Sequence, residues 1–191
     1  MALINVAARE IHCKIVYYGP GMGGKTTNLQ WIHSQVPRAN KGELLSIATE
    51  TERTLFFDFL PLDLGKVRGF QTRFHLYTVP GQVLYERTRV AVLNGADGVV
   101  FVADSQRHKL EENINSLKEL ARNIQKQGKK FQEFPLVLQY NKRDLPNVLP
   151  VAVLDKYLNP FGWPRFEACA ASGPGVFDTL KAITKLVIAK L

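Results

Sequence analysis

Short apolar runs of strand character alternate along this chain with longer stretches whose apolar residues recur at helical spacing. Residues 11–18 (IHCKIVYY) are rich in β-branched and aromatic side chains and stop at Gly19, which predicts a strand. In 24–36 the positions Leu29, Ile32 and Val36 fall on one face, which predicts a helix. Residues 37–54 are polar and carry no clear periodicity. LFFDFLPL (55–62) and FQTRFHLYTV (70–79) read as two strands. The turn-like 63–69 between them is too short for a crossover, so they pair antiparallel.

DGVVFVADS (97–105) is apolar almost throughout, as a strand buried on both faces must be. Leu110, Ile114, Leu117, Leu120 and Ile124 set a long amphipathic helix over 108–127. FPLVLQY (134–140), a short helix around 151–157, FEACAA (166–171) and a final helix near 174–190 complete the series. Strand and helix alternating in this way predict an α/β fold: a largely parallel sheet with helices on both faces and one antiparallel strand. There is no internal repeat, and 191 residues amount to about 1.3 domains on length alone, so a single domain over 1–191 is expected.

Composition narrows this little. A hydrophobic fraction of 46% with 22% charged residues excludes global disorder. The net charge of +8 admits nucleic acid, an anionic membrane or an acidic partner without choosing among them. Part of that excess is local, since 107–130 holds seven basic and three acidic residues, either a solvated helix face or a docking surface. Cys13 and Cys169 lie far apart in apolar runs, which fits small buried side chains in a reducing, cytoplasmic setting better than a disulfide or zinc site. No stretch approaches the roughly 20 apolar residues of a spanning helix, so no integral membrane segment is expected.

Chemistry enters at two places. Gly19, Pro20, Gly21, Met22, Gly23, Gly24, Lys25 and Thr26 match G-x-x-x-x-G-K-[ST], and the motif follows a predicted strand and opens a predicted helix. Glycines let the backbone turn its N–H groups inward as an anion nest. The helix, entered through Thr26 and Thr27, presents its positive end to phosphate. Lys25 supplies a point charge to the β- and γ-phosphates, and the Thr26 hydroxyl is placed to ligate Mg²⁺. The second place is Asn141-Lys142-Arg143-Asp144, an N-K-x-D sequence at the carboxyl end of a predicted strand, where open α/β sheets bind ligands. The Asp144 carboxylate can accept hydrogen bonds from N1–H and the exocyclic amine of guanine, whereas adenine would leave it unpaired. The stem of Lys142 can lie across a base face with its ammonium in water. The small residues Cys169, Ala170 and Ala171 would let a backbone N–H approach guanine O6.

These motifs, in this order, resemble the small Ras-like GTPases over nearly the whole chain. The resemblance implies a P-loop NTPase fold with a six-stranded sheet, and within that group the chain is similar to a bacterial type that governs gliding motility and cell polarity. Two further segments carry the likeness: 51–61 (TERTLFFDFLP) and Thr78-Val79-Pro80-Gly81-Gln82. By resemblance, Thr54 closes on Mg²⁺ and the γ-phosphate, Gly81 senses the γ-phosphate, and Gln82 orients the attacking water. Most Ras-like proteins have an aspartate where this chain has Thr78. A neutral threonine cannot supply that charge, and Asp58, on the strand paired with the one leading into Thr78, is the expected substitute near the metal. Arg53 beside Thr54 is positioned to serve as an arginine finger supplied in cis.

The expected function is therefore a switch that binds GTP and GDP with Mg²⁺ and hydrolyses GTP slowly. The alternatives are a GTP-binding scaffold with little hydrolysis and a P-loop kinase of a small metabolite. The resemblance implies a roadblock-domain GTPase-activating protein, effectors at the switch segments, and a cytoplasmic chain recruited to a cell pole. DNA and RNA are not expected partners.

Overall fold

The computed structural model of the chain describes residues 2–48, 56–82 and 85–191. Its strands are β1 (Leu3–Asn5), β2 (Glu10–Tyr18), β3 (Leu45–Ala48), β4 (Phe56–Val67), β5 (Phe70–Thr78), β6 (Gly98–Asp104), β7 (Leu136–Asn141) and β8 (Arg165–Glu167). Its helices are α1 (Lys25–Gln35), α2 (Glu86–Leu93), α3 (Leu110–Lys126), α4 (Val151–Leu158) and α5 (Val176–Ile188). One sheet has the order β3-β4-β5-β2-β6-β7-β8, and β1 pairs with β2 beside that path.

Strands β5, β2, β6, β7 and β8 run parallel to their neighbours in this series. Strand β4 lies antiparallel to β5 and to β3, and β1 antiparallel to β2. The expectation of six strands with one antiparallel thus becomes eight strands with three antiparallel pairings. Both additions are short, β1 exposed throughout and β3 inside the polar 37–54 stretch, where too few apolar positions exist to show a period. The expected 63–69 turn is also shorter. The two strands continue to Val67 and Phe70, which pair directly across Arg68 and Gly69. Those two residues have φ of 50° and 82°, the positive values a two-residue hairpin turn demands, and a bulge between Asp63 and Lys66 absorbs the irregular stretch.

Each face of the sheet has its own core. Helices α1 and α5 cover Ile15, Tyr17, Leu76, Val100 and Val137 on one side. Helices α2, α3 and α4 cover Val16, Tyr18, Val99, Phe101 and Leu138 on the other. Strand β6 is buried at every position, which is why its sequence lacks alternation. Cys13 is buried, and burial pushes its thiol up to about 11, so it behaves as a core residue; Cys169 is half-buried. Among the described residues, three of the seven basic residues in 107–130 are ion-paired within the protein: Lys109 with Glu112 at 3.2 Å, Arg122 with Glu86 at 3.6 Å, and Lys130 with Glu133 at 3.6 Å. Among the described residues no helix is long and apolar enough to cross a membrane.

Candidate nucleotide-binding site

Because the five central strands are parallel, their carboxyl ends share one edge, and the loops leaving that edge converge. Strand β2 opens into 19–24, β5 into 79–82, β7 into 142–144, and β8 into 168–171. Together they line a cleft of about 420 Å³. Its floor is Gly23, Gly24, Lys25, Thr26 and Thr27; its walls are Thr78 and Gly81 on one side and Asn141, Lys142 and Asp144 on the other; Cys169, Ala170 and Ala171 close one end, and Met22 lies at the rim. Gly19, Pro20 and Gly21 instead line an adjoining cavity of about 770 Å³ between this loop, Gln82, α2 and α3. Arg53 and Thr54 lie outside the described residues, as do Val83 and Leu84.

Asn141 joins the two motifs. Its side-chain amide donates to the Gly23 carbonyl at 2.9 Å and accepts from the Ala170 N–H at 2.9 Å, tying the 19–24 loop to the 168–171 loop. Gly24, with φ of 107°, closes against it: a Cβ there would lie 2.1 Å from the Asn141 amide nitrogen. A second buried amide pair lies under the loop. Asn28 and Gln139 exchange hydrogen bonds at 2.8 and 2.9 Å, and Gln139 also donates to Thr179, which locks α1, β7 and α5 together. On the opposite wall the backbones of 19–24 and 79–82 touch, since a Cβ on Gly81 would fall 2.3 Å from the Gly21 nitrogen.

Lys25 is buried and donates to the Gly19 and Pro20 carbonyls at 3.0 and 2.7 Å. Burial pulls its ammonium down to about 7, the Arg89 charge adds to the effect, and Asp58 opposes it. Between that value and the ordinary 10.5, Lys25 is protonated more fully in the unfolded chain than in the folded one, so its own contribution to the stability of the nucleotide-free chain rises with pH across this window. Lys25→Met is expected to raise the melting temperature of the nucleotide-free protein near neutral pH, by about 2–4 °C for each kcal/mol recovered, and to flatten that rise. Thermal melts at several pH values from 7 to 10 check this, and an unchanged pH slope in the variant would contradict it.

Asp58 is buried and faces hydroxyls. Thr26 donates to it at 2.5 Å, Ser46 at 2.7 Å and Thr78 at 2.9 Å, while the Asp58 N–H donates back to the Thr78 oxygen at 2.8 Å. Asp58 is thus an inward residue at the phosphate loop. An oxygen-only pair such as Thr26 and Asp58 fits a hard cation like Mg²⁺, which takes few protein ligands and completes its shell with phosphate and water. Among the described residues no cluster of three His, Cys, Asp or Glu side chains forms a metal cage.

Lys142 departs from the expected solvated ammonium. Its nitrogen donates at 2.9 Å to Asp104, which is fully buried at the end of β6, and its backbone takes a φ of 65°. Asp144 is exposed at the cleft, on a turn held by the Arg143 N–H to the Ala168 carbonyl at 3.1 Å and by the Arg143–Glu167 ion pair at 3.2 Å. Asp104 was not singled out from the sequence, though a carboxylate ending a buried apolar run, where a parallel strand meets its ligand edge, is the signal that points to it. Arg89, which with Arg87 reads from the sequence as an anchor of a partner surface, is instead turned into the interior. It is buried on α2, binds both oxygens of Glu119 on α3, and donates to the Pro80 and Gln82 carbonyls. Burial would raise the Glu119 carboxyl, yet the hydrogen bonds from Arg89 and Tyr18 hold it below its ordinary value.

A mixed sheet of this order, with a glycine-rich loop entering α1 and an N-K-x-D turn meeting it in one cleft, defines a small Ras-like GTPase domain. Comparison with known proteins agrees. The chain belongs to the MglA family: it is 58% identical over 191 residues to the mutual gliding-motility protein MglA of Myxococcus xanthus (strain DK1622), covering 100% of this chain and 98% of that relative. It is also 27% identical over 196 residues to human ADP-ribosylation factor-like protein 4C, covering 96% and 91% of the two chains. ADP-ribosylation factor-like protein 6 of Caenorhabditis briggsae is 25% identical over 172 residues, covering 86% and 88%. No family model matches the chain.

Proposed function

We propose that the chain is a molecular switch that binds GTP and GDP and hydrolyses GTP slowly, in a bacterial gliding-motility system of the kind its Myxococcus relative is named for, and that it regulates cell polarity there. The observation that carries this is the Asn141 bridge, which makes the glycine-rich loop and the base-recognition turn two ends of one cleft. Residues Gly19 to Thr27 cradle the phosphates, all but Pro20 with a backbone N–H to offer, and Lys25 moves from the loop carbonyls to phosphate oxygens. Asp144, Asn141 and Lys142 with Cys169, Ala170 and Ala171 hold guanine. Thr26, Thr54 and Asp58 hold Mg²⁺, Asp58 through water; when bound, that ion neutralises charge on the β- and γ-phosphate oxygens. Thr54 and the Gly81 N–H meet the γ-phosphate, and Gln82 orients the attacking water. Arg53 is delivered from the same chain to the phosphate oxygens, where a guanidinium is worth about 10³–10⁵ in rate.

On this reading a roadblock-domain activating partner repositions the switch segments and donates no residue, and effectors bind those segments in one nucleotide state. The chain works in the cytoplasm and is recruited to a cell pole. Single-turnover incubation with GTP and Mg²⁺ tests the activity: GDP and phosphate appear in equal amounts without any acceptor, and excess ATP does not compete. Bound GTP that persists unhydrolysed would leave a scaffold, and phosphate appearing on a metabolite would make it a kinase.

A further inference from the structure

Arg89 is 4% exposed, an unusual burial for a guanidinium, and lines the cavity between the phosphate loop, Gln82 and α3 rather than the nucleotide cleft. Its Nε and one terminal nitrogen meet the two Glu119 oxygens at 2.8 and 2.6 Å, a planar fork against a planar carboxylate. The other terminal nitrogen donates to the Pro80 carbonyl at 3.0 Å and to the Gln82 carbonyl. Glu119 takes a further hydrogen bond from the hydroxyl of Tyr18, the last residue of β2 before the phosphate loop. A buried ion pair contributes little net stability, because desolvation offsets its attraction; what it does supply is direction. Here the direction is set by α3, and it is handed to the turn that carries Gln82.

Holding both the Pro80 and the Gln82 carbonyls grips this turn on either side of Gly81, and Gly81 itself rests on the Gly21 backbone. With the turn fixed at both ends, the Gln82 Cα has one position relative to the phosphate loop, and so does the reach of its exposed side chain. We propose that Arg89 is a positioning residue for Gln82, with Glu119 as its anchor, so that the hydrolytic geometry is set from α3. This rests on the reading above in which Gln82 orients the water. Arg89→Lys keeps the charge but cannot span a carboxylate and two carbonyls at once. Glu119→Gln keeps the size and one acceptor but removes the charge that aligns the fork.

The experiment measures single-turnover GTP hydrolysis and nucleotide affinity for Arg89→Lys, Glu119→Gln and Gln82→Ala, and for each of the first two combined with Gln82→Ala. Both latch variants are expected to bind GDP within about threefold of the parent while hydrolysing GTP roughly ten- to a hundredfold more slowly, the cost of misplacing a catalytic group by about an ångström. In the Gln82→Ala background they are expected to add no further loss. Full multiplication of the two losses would overturn the proposal, because Arg89 would then act independently of Gln82. So would a proportional loss of GDP affinity in both variants, the mark of a merely structural pair. If Gln82→Ala alone leaves the rate unchanged, the reading of Gln82 fails first and the positioning role falls with it.

Discussion

Asp144→Asn is expected to cost the chain its guanine nucleotides and to give it xanthine nucleotides instead. Guanine presents two donors on its recognition edge, N1–H and the 2-amine, and a carboxylate accepts both. Each such charge-assisted bond contributes about 1.5–3 kcal/mol, so losing the pair lowers GDP affinity by about 10²–10⁴. Xanthine keeps N1–H but carries a carbonyl at C2, which pairs with the acceptor and donor of an asparagine amide. The substitution leaves the supports of the turn untouched: the Arg143 N–H still reaches the Ala168 carbonyl, the Arg143–Glu167 pair is intact, and Lys142 still binds Asp104. Titration with fluorescent GDP and XDP reads both affinities directly. Unchanged GDP binding would move base recognition away from this turn.

The second large effect concerns charge near the metal. Asp58→Asn is expected to raise the Mg²⁺ concentration needed for tight GTP binding by about 10–100-fold, the usual cost of removing an outer-shell carboxylate. Single-turnover hydrolysis should fall with it. The physical reason is that Thr78, where most Ras-like chains carry an aspartate, contributes only a hydroxyl, already engaged with Asp58 at 2.9 Å. Asp58 is therefore the one carboxylate among the described partners of Thr26. The double variant Asp58→Asn/Thr78→Asp transfers the charge one strand over, and the requirement for Mg²⁺ should return toward that of the parent. Magnesium titrations of the parent, the single and the double variant check this. If Asp58→Asn keeps the parent's Mg²⁺ dependence, the Asp58 carboxylate is structural and the metal is supported from elsewhere.

Both effects act on residues that the chain advertises locally. Asp144 belongs to a four-residue motif at a strand end, and Asp58 was reachable because its strand is paired with the one leading into Thr78, although the register that sets the two side by side depends on the bulge between Asp63 and Lys66. The long elements were equally legible, since β6 has room for an unbroken apolar run and α3 for a five-residue stripe. Strands β1 and β3 were not, because three or four residues cannot display a period and an edge strand buries little. The hairpin turn at Arg68 and Gly69 was hidden for another reason: a bulge places Leu64 and Gly65 out of register, so the alternation breaks before the strand does.

From sequence alone the candidate chemistry could be read: a glycine-rich loop with its lysine, an N-K-x-D carboxylate and, by resemblance, a threonine where an aspartate is usual, each written in a few contiguous residues. Tertiary structure alone decided how those parts are held. The Asn141 bridge between Gly23 and Ala170, the Lys142–Asp104 pair and the Arg89–Glu119 latch join residues 29 to 118 positions apart. Polar contacts of that range leave no trace in composition or period, because they depend on which helices the sheet brings side by side.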